Sequence, residues 1–136
     1  MNKILIVDDD EDDQLVFKEA LEIINPLLQC DTAINGKIAL DKLNASTSLP
    51  DIIFIDLNMP VINGFELLIQ LKESSAFSKI PVGIFTTSNT LRDKALTREL
   101  GAQFFLIKPN DFKVLCKKLQ HVLKADFSAE EYLSIT

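Results

Sequence analysis

The residues equipped for chemistry stand directly behind runs of aliphatic and aromatic side chains. Asp8 and Asp9 follow Lys3–Val7. Asp56 ends the run 51–55 and is followed by Leu57, Asn58, Met59 and Pro60. Thr86, Thr87 and Ser88 close the fourth run, and Lys108 with Pro109 follows 104–107. Three carboxylates, a hydroxyl and an ammonium form a set suited to a phosphoryl group. Carboxylates packed closely cannot all ionise cheaply at neutral pH, so a dication is the natural partner. An all-oxygen donor set with room for water suits Mg²⁺, with Mn²⁺ as the alternative, because Mg²⁺ keeps waters and accepts phosphate oxygens as further ligands. A carboxylate beside such an ion and an ammonium can attack phosphorus and become an aspartyl phosphate. Asp56 is then the nucleophile. Asp8 and Asp9 hold the metal together with Asp56 and the backbone carbonyl of Asn58. Lys108 pairs with one phosphoryl oxygen, and Thr86 donates a hydrogen bond to another.

For these groups to meet, the runs must be neighbouring strands that end at one edge. The runs at Lys3–Val7, 28–33, 51–55, Val82–Thr86 and 104–107 alternate with segments of helical spacing. Phe17, Ala20, Leu21 and Ile24 fall at i, i+3, i+4 and i+7 behind an acidic start, and Pro26 stops the run. Phe112, Leu115, Leu119 and Val122 repeat the pattern after Asn110 or Asp111 as cap. Shorter helices are predicted over 36–44, Gly64–Glu73 and 90–100. Strict alternation with short connections implies right-handed crossovers and a parallel sheet covered on both faces, with functional groups beyond the carboxyl ends of its strands. Gln29, Asp31 and Thr32 interrupt the second run and make it an edge strand.

The 136 residues, 47% hydrophobic and 25% charged, predict one globular domain and exclude collagen-like or disordered chains. Net charge is −6, but six of the 20 acids sit at 8–13, and without them acids and bases balance at 14 each. That run repels phosphate, so nucleic acid and anionic lipid are poor partners for this end. No signal-peptide core or membrane-length apolar stretch is present, which predicts a cytoplasmic protein. Cys30 and Cys116 stand far apart, as expected of buried reduced thiols. His121 is expected on the surface, and Phe104 and Phe105 on opposite sides of the sheet.

The segments ILIVDD, IFIDLNMPVINGFELL, PVGIFTT and GAQFFLIKP resemble the receiver domain of two-component response regulators. The resemblance implies a flavodoxin-like (βα)5 fold, a doubly wound parallel five-stranded sheet of order 2-1-3-4-5. It implies an acidic pair at Asp8 and Asp9, phosphoacceptor Asp56, signalling hydroxyl Thr86, switch aromatic Phe105, active-site Lys108 and a cis Lys108–Pro109 bond. It further implies a phosphohistidine donor on a sensor histidine kinase or a histidine phosphotransfer protein, and slow self-catalysed hydrolysis rather than turnover as an enzyme. Output would pass to a downstream protein through a changed surface of the fourth helix, fifth strand and fifth helix. A homodimer through that face is a further expectation. The dense acidic entry to the first helix is similar to that of standalone receivers paired with phytochrome-like kinases. The receiver is expected over 1–125, with 126–136 a short tail allowing one helical turn and no separate output domain. Phe105 lacks the hydroxyl that relatives carry as tyrosine, and Thr87 stands where relatives have a small residue.

Competing patterns fit less well. Asp8, Asp10, Asp12 and Glu19 match positions 1, 3, 5 and 12 of a calcium loop, but Asp13 replaces the required glycine and a strand precedes it. An aspartyl-phosphate phosphatase needs a second acid two residues after its nucleophile, where this chain has Asn58, and an amide cannot shuttle the proton. A flavodoxin-type cofactor site needs a hydroxyl- and glycine-rich loop after the first strand, where acids stand instead. Asp10, Glu11, Asp12 and Asp13 read as acids favouring a helix start. The reading from another class is an interaction module of the same fold that is never phosphorylated. No helix-turn-helix follows Leu123, so direct DNA reading has no evident element.

Overall fold

Runs of Ile, Leu, Val and Phe with no polar alternation can be satisfied only by cover on both faces, and the computed structural model, which describes residues 1–128 and 131–135, provides it. Strands β1 (Lys3–Val7), β2 (Gln29–Ala33), β3 (Ile52–Ile55), β4 (Val82–Thr86) and β5 (Phe105–Ile107) pair in parallel in the order β2-β1-β3-β4-β5. This is the flavodoxin-like arrangement. Helices α1 (Glu11–Ile24), α2 (Gly36–Ala45), α3 (Gly64–Glu73), α4 (Leu91–Glu99) and α5 (Phe112–Lys124) connect the strands and follow the last. On one face, Phe17, Ala20 and Leu21 of α1 and Leu115, Leu119 and Val122 of α5 pack on Ile4, Ile6, Phe54 and Phe104. On the other, Ala39 and Leu43 of α2 and Leu67, Leu68 and Leu71 of α3 cover Leu5, Val7, Ile55 and Phe105. Phe104 and Phe105 thus face opposite layers, and β2 is an edge strand of intermediate exposure, both as the sequence requires.

Small shifts at the element ends have local causes. Asp51 does not begin β3, because its Oδ2 accepts the backbone N–H groups of Asn2 and Lys3 at 2.6 and 3.0 Å and fastens the chain start to the sheet. Thr90 caps α4 rather than opening it, its hydroxyl accepting from the Asp93 N–H at 3.1 Å. Asp111 is the cap of α5. Cys30 and Cys116 are free and half-buried rather than fully buried, and burial pushes the Cys30 thiol up to about 11, which keeps it protonated and inert.

The tail is better anchored than the sequence suggests. Phe127 is buried with its ring centroid 5.9 Å from that of Phe104. The Leu133 N–H donates to the Gln103 carbonyl at 2.7 Å, and Leu133 bridges Phe104 in parallel. The Arg98 guanidinium lies 4.2 Å from the Tyr132 ring centre. The tail therefore pairs with the chain at Gln103 and Phe104, just before β5. Ser128 enters a turn, and the expected helical turn there falls on 129 and 130, which with 136 lie outside the described residues.

Candidate functional site

The carboxyl ends of β1 and β3 lie side by side, so the residues that follow them meet. The Asp8 N–H donates to the Ala33 carbonyl at 2.9 Å and the Asp56 N–H to the Val7 carbonyl at 3.0 Å, extending the sheet pairing up to the two acids. Carboxylate oxygens of Asp8, Asp9 and Asp56 all lie within 4.8 Å of one another. Asp8 is fully buried, Asp56 nearly so and Asp9 exposed. One strand further, the Lys108 N–H donates to the Thr86 carbonyl at 2.7 Å, which aims the lysine side chain back over the trio. Its Nζ lies 2.7 Å from Asp8 Oδ2, 2.7 Å from Asp13 Oδ2 and 3.2 Å from Asp56 Oδ2.

Electrostatics follow from this crowding. Burial pushes the Asp8 carboxyl up to about 6, against the opposing hydrogen bonds of Lys108 and the Asp10 N–H. Burial alone would lower the Lys108 ammonium, but the contacts from Asp13 and Asp8 and the charge of Asp56 outweigh it, so the group is held above the ordinary lysine value. Asp8 Oδ1 accepts from the Asp10 N–H at 3.0 Å. Its buried Oδ2 has the Lys108 ammonium at 2.7 Å as its partner. The all-oxygen trio of Asp8, Asp9 and Asp56, open through Asp9, fits a hard divalent cation.

The other residues singled out from the sequence are placed as follows. Asn58 is exposed beside the trio, and its N–H approaches Asp56 Oδ1 at 3.4 Å. Thr86 is fully buried at the end of β4, and its Oγ1 accepts from the Ser88 N–H at 3.3 Å. Thr87 points to solvent. Phe105 lies inward, 5% exposed, with the Lys94 ammonium 5.9 Å from its ring centre. The expected cis bond is corrected: there is no cis peptide among the described residues, so Lys108–Pro109 is trans, the isomer favoured at X–Pro by about 0.5–1 kcal/mol. His121 is exposed on α5.

Two side chains escaped the sequence reading. Asp10 does cap α1, accepting from the Asp12 and Asp13 N–H groups at 2.9 and 3.1 Å. Asp13, grouped with it as a helix-start acid, instead turns to Lys108. Gln14 is buried, and its amide donates to the Asp8 carbonyl at 2.5 Å, locking α1 against the end of β1. Its polar side chain in the first turn of α1 was the available signal, since buried polar groups require partners.

The loop from Asp56 to α3 is tightly drawn. A Cβ on Gly64 would lie 2.4 Å from the Asp56 carbonyl oxygen, so glycine is needed for α3 to begin against the Asp56 backbone. Asn63 and Glu66 form a reciprocal capping box there. Val61 is left-handed at φ 71° and exposed, a conformation unfavourable for a β-branched residue. Val61→Asn is expected to stabilise the protein by about 1 kcal/mol in urea denaturation. Equal or lower stability would show that the loop holds no strain at this position.

The architecture and the anionic edge together define a doubly wound α/β protein with an acid trio and one lysine at the carboxyl ends of its strands. The model of the response regulator receiver domain matches residues 4–120, and the chain belongs to that family, whose members act as signalling switches rather than enzymes in the ordinary sense. Protein PilH of Pseudomonas aeruginosa is 35% identical over 124 residues, 90% of this chain and 98% of PilH. Against several transcriptional regulatory proteins at 32–34% identity the chain spans about half of the relative's length, 52–56%. The phosphorylated cyanobacterial phytochrome response regulator RcpA matches with a TM-score of 0.84 at 26% identity, covering 94% of this chain and 95% of that one. The Mn²⁺-bound form of response regulator Rcp1 matches with a TM-score of 0.79 at 26% identity, covering 100% and 99%. No helix among the described residues is long and apolar enough to cross a membrane.

Proposed function

We propose that this protein is a phosphorylatable receiver that takes a phosphoryl group from a phosphohistidine on a sensor histidine kinase or histidine phosphotransfer protein. The observation that carries the reading is the Lys108 ammonium held 3.2 Å from Asp56 Oδ2 beside the Asp8, Asp9 and Asp56 oxygens. An Asp56 oxygen attacks phosphorus in line with the histidine nitrogen. The P–O bond forms as the P–N bond breaks, and the imidazole leaves with a proton. Lys108 pairs with one equatorial oxygen, and the Thr86 hydroxyl donates to another. Asp8, Asp9, Asp56 and the Asn58 carbonyl would hold Mg²⁺, or Mn²⁺ as in the Rcp1 relative, and when bound the ion neutralises charge developing on the phosphoryl oxygens. Water later cleaves the acyl phosphate and releases inorganic phosphate.

The unit carrying this activity is 1–125, with 126–136 as a tail. The reading places it among cytoplasmic kinases, without direct nucleic-acid or membrane contact. Output is assigned to the face of α4, β5 and α5 toward a downstream protein, a face through which two copies could also pair. Phe105 is already inward, so its contribution rests on packing with α4 and not on a hydroxyl. The test is incubation with Mg²⁺ and acetyl phosphate or phosphoramidate followed by intact mass measurement. One phosphate adduct on the wild type, absent from Asp56→Asn, is expected. No adduct on the wild type under conditions that label other receivers would instead make it an interaction module.

A further inference from the structure

Lys108 has a third carboxylate partner that neither the metal site nor the phosphoacceptor accounts for. Asp13 Oδ2 accepts a hydrogen bond from Nζ at 2.7 Å, closer than Asp56 at 3.2 Å, from a position 95 residues earlier in the chain. Asp13 sits in the first turn of α1, its backbone N–H fixed by the Asp10 cap, while Glu11 and Asp12 of the same turn face solvent. Of the three acids on the ammonium, Asp8 and Asp56 belong to the trio whose oxygens converge, and Asp13 stands outside it.

That division matters once a dication enters. Asp8 and Asp56 would turn their charge to the bound ion, and the ammonium would be left facing a second positive charge. A lysine charge on a flexible four-carbon stem then gains by leaving for water. Asp13 loses nothing to the ion and keeps its hold from the α1 side. We propose that Asp13 is a positioning residue that anchors the Lys108 ammonium over Asp56 when a divalent cation draws Asp8 and Asp56 away, keeping it in place for the phosphoryl oxygen. The consequence for rate rests on Asp56 as phosphoacceptor, whereas the anchoring itself belongs to the metal-loaded protein and is read without any phosphoryl donor.

The test uses the full chain with saturating Mg²⁺ and compares wild type, Asp13→Asn, Asp13→Glu, Lys108→Ala and the Asp13→Asn/Lys108→Ala pair. In NMR of lysine ammonium groups, Lys108 Nζ is expected to give a resolved, slowly exchanging signal in the wild type, to lose it to solvent exchange in Asp13→Asn and to regain it in Asp13→Glu. Labelling by acetyl phosphate should slow by up to about a hundredfold in Asp13→Asn, the scale of a misplaced catalytic group. The substitution should add nothing in the Lys108→Ala background. An equally sharp Lys108 signal in Asp13→Asn overturns the inference, as does the same loss of rate with and without Lys108. If the wild type accepts no phosphoryl group, the proposed function fails, while the ammonium signal still decides the role of Asp13.

Discussion

Asp8→Asn is expected to stabilise the metal-free protein by about 2 kcal/mol at pH 7 while removing its affinity for Mg²⁺. Asp8 is fully buried, and burial raises its carboxyl from 3.8 to about 6. An acid whose value is raised on folding costs nothing below its unfolded value, where it is protonated in both states. The cost grows as pH rises from about 4 and is complete above about 6. Two pH units at 1.36 kcal/mol each set a ceiling of about 3 kcal/mol, net of the ion pair to Lys108. Lys108 keeps Asp13 and Asp56, so the substitution leaves no stranded charge. Asp31 and Asp51 are lowered below the ordinary carboxylate value: burial raises Asp31, but Lys42, the Thr32 N–H and the Lys3 charge together outweigh it, and the Asn2 and Lys3 N–H groups lower Asp51. Their stabilisation is present above the unfolded value and is lost as pH falls through their folded values, which leaves the range from about pH 4 to 6 to Asp8. Urea denaturation in chelator at pH 4 and pH 7 should show the two proteins converging in acid and separating at neutrality, and calorimetry with Mg²⁺ should show binding only to the wild type. A variant less stable than the wild type at pH 7 would mean that Asp8 supports the fold rather than straining it.

Gly83→Ala should be among the most damaging single methyl additions to the chain. A Cβ at Gly83 would lie 2.0–2.2 Å from atoms of the Phe104 ring, far inside contact distance. The ring cannot retreat, because Phe104 is fully buried with Phe54 at 5.2 Å and Phe127 at 5.9 Å. The backbone cannot retreat either, since β4 is paired with β3 on one side and β5 on the other. Overpacking of this kind costs about 3 kcal/mol, a large share of a typical domain's stability. Phe104→Leu would itself lose burial, but the double variant should be more stable than the sum of the two losses, because the smaller side chain vacates the space the methyl needs. Strict additivity in equilibrium denaturation would place the damage elsewhere than in this contact.

The elements and the placement of most reactive groups at strand ends were legible in the sequence because both are local. Alternation of uninterrupted apolar runs with 3.6-residue periodicity fixes which segments are strands and which are helices. Acids, hydroxyl and lysine directly behind those runs must then lie at strand ends, whatever the order of the strands. That order was not available from periodicity and came from the resemblance alone, since one apolar strand is as good a neighbour as another until the sheet is assembled. The same limit hid Asp13. In sequence it is one of several acids favouring a helix start, and only the approach of β5 to α1 supplies the ammonium that separates it from Glu11 and Asp12. Gly83 carried a faint signal, a glycine inside a buried strand, but not the identity of the ring that fills its place. The tail gave none, for its contacts with Gln103 and Phe104 depend on distant segments meeting only once the chain is folded. Short-range pattern thus determined what each segment is and which reactive groups it ends with. The packing of distant segments decided which charges face one another, because an ion pair or a ring contact across the fold depends on positions in space that neighbours in the chain do not fix.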